Sequence, residues 1–227
     1  MKRTRSGEVG AYHERLIASL RGYGDPERAG KDRIYHKSSW EHWGVTAPQM
    51  EAAIRETLDG AGPDTLIQIS SDLWPEPVWD LKIVAARILA RKSVPPDQLL
   101  WDFVIARMGD LDAWAVADCL SSVGSRCLIE DPRRLDAVET WVESRHLWTR
   151  RASLVFTLPW TRSGRDPERM LGWARRLCGD REWFIQKAIG WWLRELSKRD
   201  PDRVRRFLAE HGAELKGFAR REAMKYL

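Results

Sequence analysis

One carboxylate stands apart in this sequence. In GDLDAWAVADCLSSVG, residues 109–124, Asp118 follows Trp114 by four positions in a run that otherwise reads as a buried helix. Four residues is about one helical turn, so acid and indole share a face. A carboxylate so placed can stabilise a cation or orient a water, and the face of an indole attracts positive charge. The same pair can equally be a solvated aspartate beside a rim tryptophan. Two further runs mix chemistry-bearing residues with apolar ones: WFIQKAIGWWLRELSK at 183–198 and HLWTRRASLVFTL at 146–158.

Helical projection sorts these runs into faces. In the first, Leu111, Ala115, Val116, Cys119, Leu120 and Val123 form the core stripe, while Trp114, Asp118 and Ser121 gather opposite. In the second, Ile185, Ile189, Trp192, Leu193 and Leu196 form the stripe. Trp191 falls on the other side with Lys187, Arg194 and Lys198, a pattern that suits phosphate contact with stacking support. A snorkelling basic face laid over a tryptophan has the same pattern. In the third, Arg151 falls inside the arc of Leu147, Trp148, Leu154, Val155 and Leu158, with Arg150 at its polar edge. An arginine there is either a structural ion pair or a side chain aimed into a groove.

The elements that must position these residues are helices. Runs such as AYHERLIASLRG, TAPQMEAAIRETLDG, EPVWDLKIVAARILARK and DPDRVRRFLAEHG carry helical periodicity, and strand signals are nearly absent. Thr46 with Pro48 suits a helix start, and Asp110 or Asp112 suits the cap of the Trp114 helix. Asp-Pro pairs at 131–132, 166–167 and 200–201 recur about 34 residues apart, the period of stacked helix pairs. The expected fold is all-α: an α-solenoid of HEAT-like antiparallel helix pairs, curved, with a concave basic groove onto which second helices present their non-core faces. A non-repetitive bundle could carry the same caps. One domain over residues 11–227 is expected, after a flexible first ten.

Composition bounds the class. With 227 residues, 43% hydrophobic and 31% charged, the chain has the balance of a globular protein. The net charge of +5 leans toward a polyanionic partner. Thirteen tryptophans outnumber five phenylalanines and four tyrosines together, so some indoles are expected to be surface platforms rather than core. Cys119, Cys127 and Cys178 form no CxxC, which points to reduced thiols and a cytoplasmic location. The basic start MKRTRSGEVG lacks the apolar segment of a signal peptide, and no stretch of 18 apolar residues suggests a membrane partner. Five histidines without zinc spacing predict neither metal nor cofactor.

These residues also carry a resemblance. YHKSSWEHWGVTAPQ, LWPEPVWDLKIVAARIL, DAWAVAD, LWTRRASL, WFIQKAIGWWLRE and ARREAMKYL stand in the order found in the DNA alkylation repair family of HEAT-like repeats, and the chain from Tyr35 onward resembles its AlkD-type glycosylases. The FIQKAIGW string is the most specific. The resemblance implies excision of cationic alkylated purines, of 3-methyladenine and 7-methylguanine type, from double-stranded DNA by hydrolysis of the N-glycosidic bond, without base flipping; a monomer is expected. The same resemblance implies Asp118 as the catalytic carboxylate, Trp114, Trp191 and Tyr35 at the lesion, and Arg151 on the DNA backbone; Lys187, Arg194 and Lys198, read from the face of their helix, are expected to hold phosphates. Trp192 departs from the family pattern, where that position is usually aliphatic, and Ala113 stands where an aromatic can occur. A non-catalytic protein of the same build, binding distorted or branched DNA, is the alternative, as is a protein–protein scaffold.

Overall fold

The computed structural model describes residues 2–162 and 164–227, and among these it contains thirteen α-helices and no β-strand. They divide into two compact units, Met1–Val123 and Gly124–Leu227. The first holds α1 (Lys2–Gly22), α2 (Pro26–His36), α3 (Ala47–Thr57), α4 (Pro63–Leu73), α5 (Trp79–Leu89) and α6 (Gln98–Arg107). The second holds α8 (Leu135–Trp141), α9 (Leu147–Val155), α10 (Glu168–Leu177), α11 (Trp183–Ser197), α12 (Pro201–His211) and α13 (Gly217–Ala223), and the boundary falls inside α7 (Trp114–Glu130). The first ten residues, expected to be a loose start, are helical from Lys2.

Each unit is built round one central helix. In the first it is α5, whose residues from Trp79 to Leu89 are all buried except Arg87; it packs on α3 and α4, and α1 packs on both of those. A helix apolar on all sides cannot face water and must be wrapped by its neighbours. In the second unit α11 plays this part against α9, α10, α12 and α13. No helix among the described residues is long and apolar enough to cross a membrane.

Local chemistry sets the helix starts. Thr46 and Gln49 form a reciprocal capping box at α3, with Pro48 in the first turn. Asp200 caps α12, Asp131 caps a 3-10 turn, and Asp166 accepts from Glu168 N at 3.1 Å. Asp25–Pro26 opens α2 in the same manner, although α2 has no buried residue and therefore no apolar stripe to announce it. Asp110 and Asp112 are used differently from the expected cap. Asp110 accepts from Trp74 Nε1 at 3.0 Å. Asp112 Oδ2 accepts from Ser38 Oγ, Ser39 N and Ser39 Oγ, which ties α7 to the loop after α2.

That loop, residues 37–46, is held from several sides. Glu41 bridges to Val78, with Glu41 N donating to Pro77 O and Trp79 N donating to Glu41 O. The buried Asp80 carboxylate accepts from Trp43 N at 2.8 Å and Val45 N at 3.0 Å. Burial pushes the Asp80 carboxyl above its ordinary value even against those two donors. Gly44 sits at φ 76°, and a Cβ there would lie 2.3 Å from Asp25 O. Gly44→Ala is therefore expected to cost about 3 kcal/mol, through left-handed strain and backbone overlap together. A melt with an unchanged midpoint would show that the loop is not so constrained.

Candidate active-site cleft and nucleic-acid interface

The amino-terminal half of α7 has the two faces its sequence dictates. Leu111, Ala115, Val116, Leu120 and Val123 are buried, while Trp114 and Asp118 are half-exposed. Cys119, assigned to the core stripe, is half-exposed as well, and Ser121 of the opposite face is buried. Ala113 is 1% exposed, so its small side chain fits the packing beneath the helix start. Trp114 and Asp118 line a cleft of about 570 Å³ with Trp79, Arg87, Arg91 and Glu51. Arg87 Nη1 donates to Glu51 Oε1 at 2.5 Å across it. Burial pushes the Cys119 thiol up to about 11, so the cleft offers a carboxylate but no thiolate nucleophile at neutral pH.

Rings surround the carboxylate's neighbour. Tyr35, exposed to 67%, meets Trp114 edge to face, with centroids 5.8 Å apart at 84°. The His36 ring lies 5.2 Å from Trp114, 5.0 Å from Tyr35 and 4.4 Å from Trp79, on which it stacks at 25°. His42 stacks on Trp79 at 5.1 Å and is fixed by its Nδ1 contact with Trp40 O at 3.0 Å. Tyr35 and Trp114, expected at the lesion, are thus brought together. His36, His42 and Trp79 were not singled out by sequence reasoning, which tested the histidines only for metal spacing. A signal was present: two histidines amid Tyr35, Trp40 and Trp43.

Lys82, outside the cleft lining, is buried, donates to Trp74 O and lies 4.4 Å over the Trp40 ring. Burial pulls its ammonium below the ordinary lysine value, and Asp110 and Asp112 oppose the shift. This cation serves the packing of Trp40 and Trp74 and does not line the cleft.

In the second unit, α11 sorts its two adjacent tryptophans as projection does: Trp192 is fully buried, and Trp191 is half-exposed on the face of Lys187, Arg194 and Lys198. The basic residues on that face are not equivalent. Lys187 Nζ lies 4.9 Å over the ring of Trp183, an exposed tryptophan stacked on Phe218 that sequence reasoning passed over. Arg194 pairs with Glu195 and Glu222, and Lys198 Nζ lies 3.0 Å from both Glu195 oxygens. Burial alone would raise the Glu195 carboxyl, but the hydrogen bonds from Lys198 and Arg194 outweigh it and hold it below its ordinary value. Arg151 is 3% exposed, with its guanidinium 5.9 Å over Trp148 and 6.0 Å over Phe184. Arg150 donates to Asp180 at 2.9 Å and to Ser144 O at 2.7 Å, a structural anchor.

An all-helical repeat protein with a carboxylate in a ring-lined cleft, and with basic residues interleaved with indoles on a helix of its second unit, has the chemistry to meet a cationic or polyanionic partner. The comparisons narrow this class. Residues 16–227 match the family model of the DNA alkylation repair enzyme, and the chain belongs to that family. Among solved structures, a predicted DNA alkylation repair enzyme from Enterococcus faecalis superposes with a TM-score of 0.74 at 23% identity, covering 90% of this chain and 96% of that one. AlkD2 from Streptococcus mutans superposes with a TM-score of 0.62 at 19% identity, over 80% and 90% of the two chains. The smu.31 protein of Streptococcus mutans UA159 gives 0.61 at 20%, over 79% and 92%. At such identities the likeness is one of fold, that of helical repeat proteins. No curated protein matches the chain.

Proposed function

We propose that this chain is a DNA glycosylase that removes positively charged alkylated purines by hydrolysing the N-glycosidic bond. The observation that carries the reading is the half-exposed Asp118 carboxylate in a cleft whose wall includes Trp114, with Tyr35 against that indole. A purine methylated at N3 or N7 is already a cation, so its bond to the sugar is weak and needs no acid to assist departure. What remains to be stabilised is an oxocarbenium-like sugar. Asp118 does this by charge, and orients or deprotonates the water that completes hydrolysis. Trp114 and Tyr35 present ring faces that favour the charged nucleotide, each by about 0.5–2 kcal/mol, and Trp191 offers a further ring to bound DNA from its own helix. Discrimination is then by charge more than shape, and the base stays out of a deep pocket, as the resemblance implies.

Lys187, Arg194 and Lys198 contact DNA phosphates in this reading. Arg194 and Lys198 exchange Glu195 for phosphate as they do so, whereas Arg151 acts from within the unit by holding the rings of Trp148 and Phe184. The protein works as a monomer in the cytoplasm on double-stranded DNA, with Cys119, Cys127 and Cys178 as reduced thiols outside any disulfide.

Incubation with a 7-methylguanine duplex is expected to release free base and leave an abasic site, while an undamaged duplex is bound but not cut. Affinity for either duplex is expected to fall steeply with salt. Salt-dependent binding without base release would instead identify a non-catalytic binder of distorted or branched DNA, and the glycosylase reading would fall.

A further inference from the structure

His36 stands where the rings of the first unit converge. It stacks on Trp79, leans on Trp114, meets Tyr35 edge to face, and lies 6.1 Å from His42 with the two rings nearly parallel. Two of these rings, Trp79 and Trp114, line the Asp118 cleft. His36 Nδ1 is buried with no hydrogen-bond partner, so no acceptor is in place to hold a proton there. The charged groups about it are mixed. On its own helix Asp32 favours a proton and Arg28 opposes one; from the loop, His42 opposes one. From α5 comes Trp79 with Asp80 in the same first turn, and from α7 comes Trp114 with Asp118 one turn along. Burial is the largest influence, and it holds the imidazole below its ordinary value.

We propose that His36 is a specificity-determining residue of the Asp118 cleft: neutral, it completes a run of four rings with Tyr35, Trp79 and Trp114 that accepts a cationic purine, and protonated, it becomes a rival cation on the same indoles. The physical reason is electrostatic: indoles already carrying an imidazolium attract a second cation less, and two cations in one ring cluster repel. This rests on the glycosylase reading. It adds that discrimination for charge is strongest while His36 is neutral and is lost in acid before the fold is.

The test is single-turnover release of 7-methylguanine from a duplex between about pH 5 and about pH 8, with spontaneous release subtracted. Wild type, His36→Phe, His36→Gln and His42→Phe are compared. Binding of a duplex carrying an uncharged abasic analogue is measured at the same pH values. The wild-type rate is expected to fall about tenfold per pH unit below a transition lying under the ordinary histidine value of about 6.5. That limb should vanish in both His36 variants, whatever their rate at neutral pH, and persist in His42→Phe. Binding of the abasic analogue should hold or tighten on acidification, because an added proton favours a polyanion. An acid limb that survives in the His36 variants, that moves to His42→Phe, or that is matched by loss of analogue binding would overturn the proposal and leave the glycosylase reading intact. No base release by wild type at any pH would overturn both.

Discussion

Asp118→Asn is expected to lose at least about a hundredfold in the rate of 7-methylguanine release while keeping its affinity for duplex DNA. The substitution preserves size and hydrogen-bonding reach, so only the negative charge is removed. In the proposed mechanism that charge stabilises the sugar cation in the transition state and is not needed to bind the duplex, whose phosphates it repels. Asp118 is half-exposed on the non-core side of α7, so the fold should tolerate asparagine and the melting midpoint should stay in place. Equal release rates for the two proteins would remove Asp118 from the chemistry. A rate loss matched by a fallen midpoint would make its role structural.

The adjacent tryptophans of α11 are expected to separate stability from activity. Trp192 is fully buried and its Nε1 lies 3.4 Å from Thr157 O, so Trp192→Ala opens a cavity costing about 3–5 kcal/mol and lowers Tm by about 10 °C. Trp191 is half-exposed, so Trp191→Ala should shift Tm little while, in the proposed reading, slowing base release about tenfold through the loss of a ring face offered to DNA. Calorimetry and excision on the same two proteins decide the matter. The reverse pattern would mean that the wrong face of α11 has been assigned to DNA.

These predictions draw on features of unequal legibility. The faces of α7 and α11 could be read in one dimension because burial follows a 3.6-residue period, and Trp192 against Trp191 is a matter of about 100° of rotation. The α2 helix could not be read that way. Its Asp25–Pro26 start is the same device used at three other Asp-Pro pairs, but none of its residues is buried, so periodicity has nothing to register. Yet α2 carries Tyr35 and His36 to Trp114. The caps expected of Asp110 and Asp112 show the opposite error. A carboxylate near a helix start satisfies whichever donor is closest, and here the donors are Trp74, Ser38 and Ser39, each more than 30 residues away in sequence.

By itself the sequence determined the all-helical class, the family, the pairing of Trp114 with Asp118 on the non-core face and the separation of Trp191 from Trp192. All of these depend on local period or on residue order. Only the tertiary structure decided which basic residues are already engaged: Arg194 by Glu195 and Glu222, Lys198 by Glu195, and Arg151 by burial among rings. It alone joined His36, His42 and Trp79, from α2, a loop and α5, into one stack beside the cleft. Ion pairing and ring stacking act over a few ångströms of space and are indifferent to distance along the chain. Residues that share no period can therefore share a site, and the fold is what brings them there.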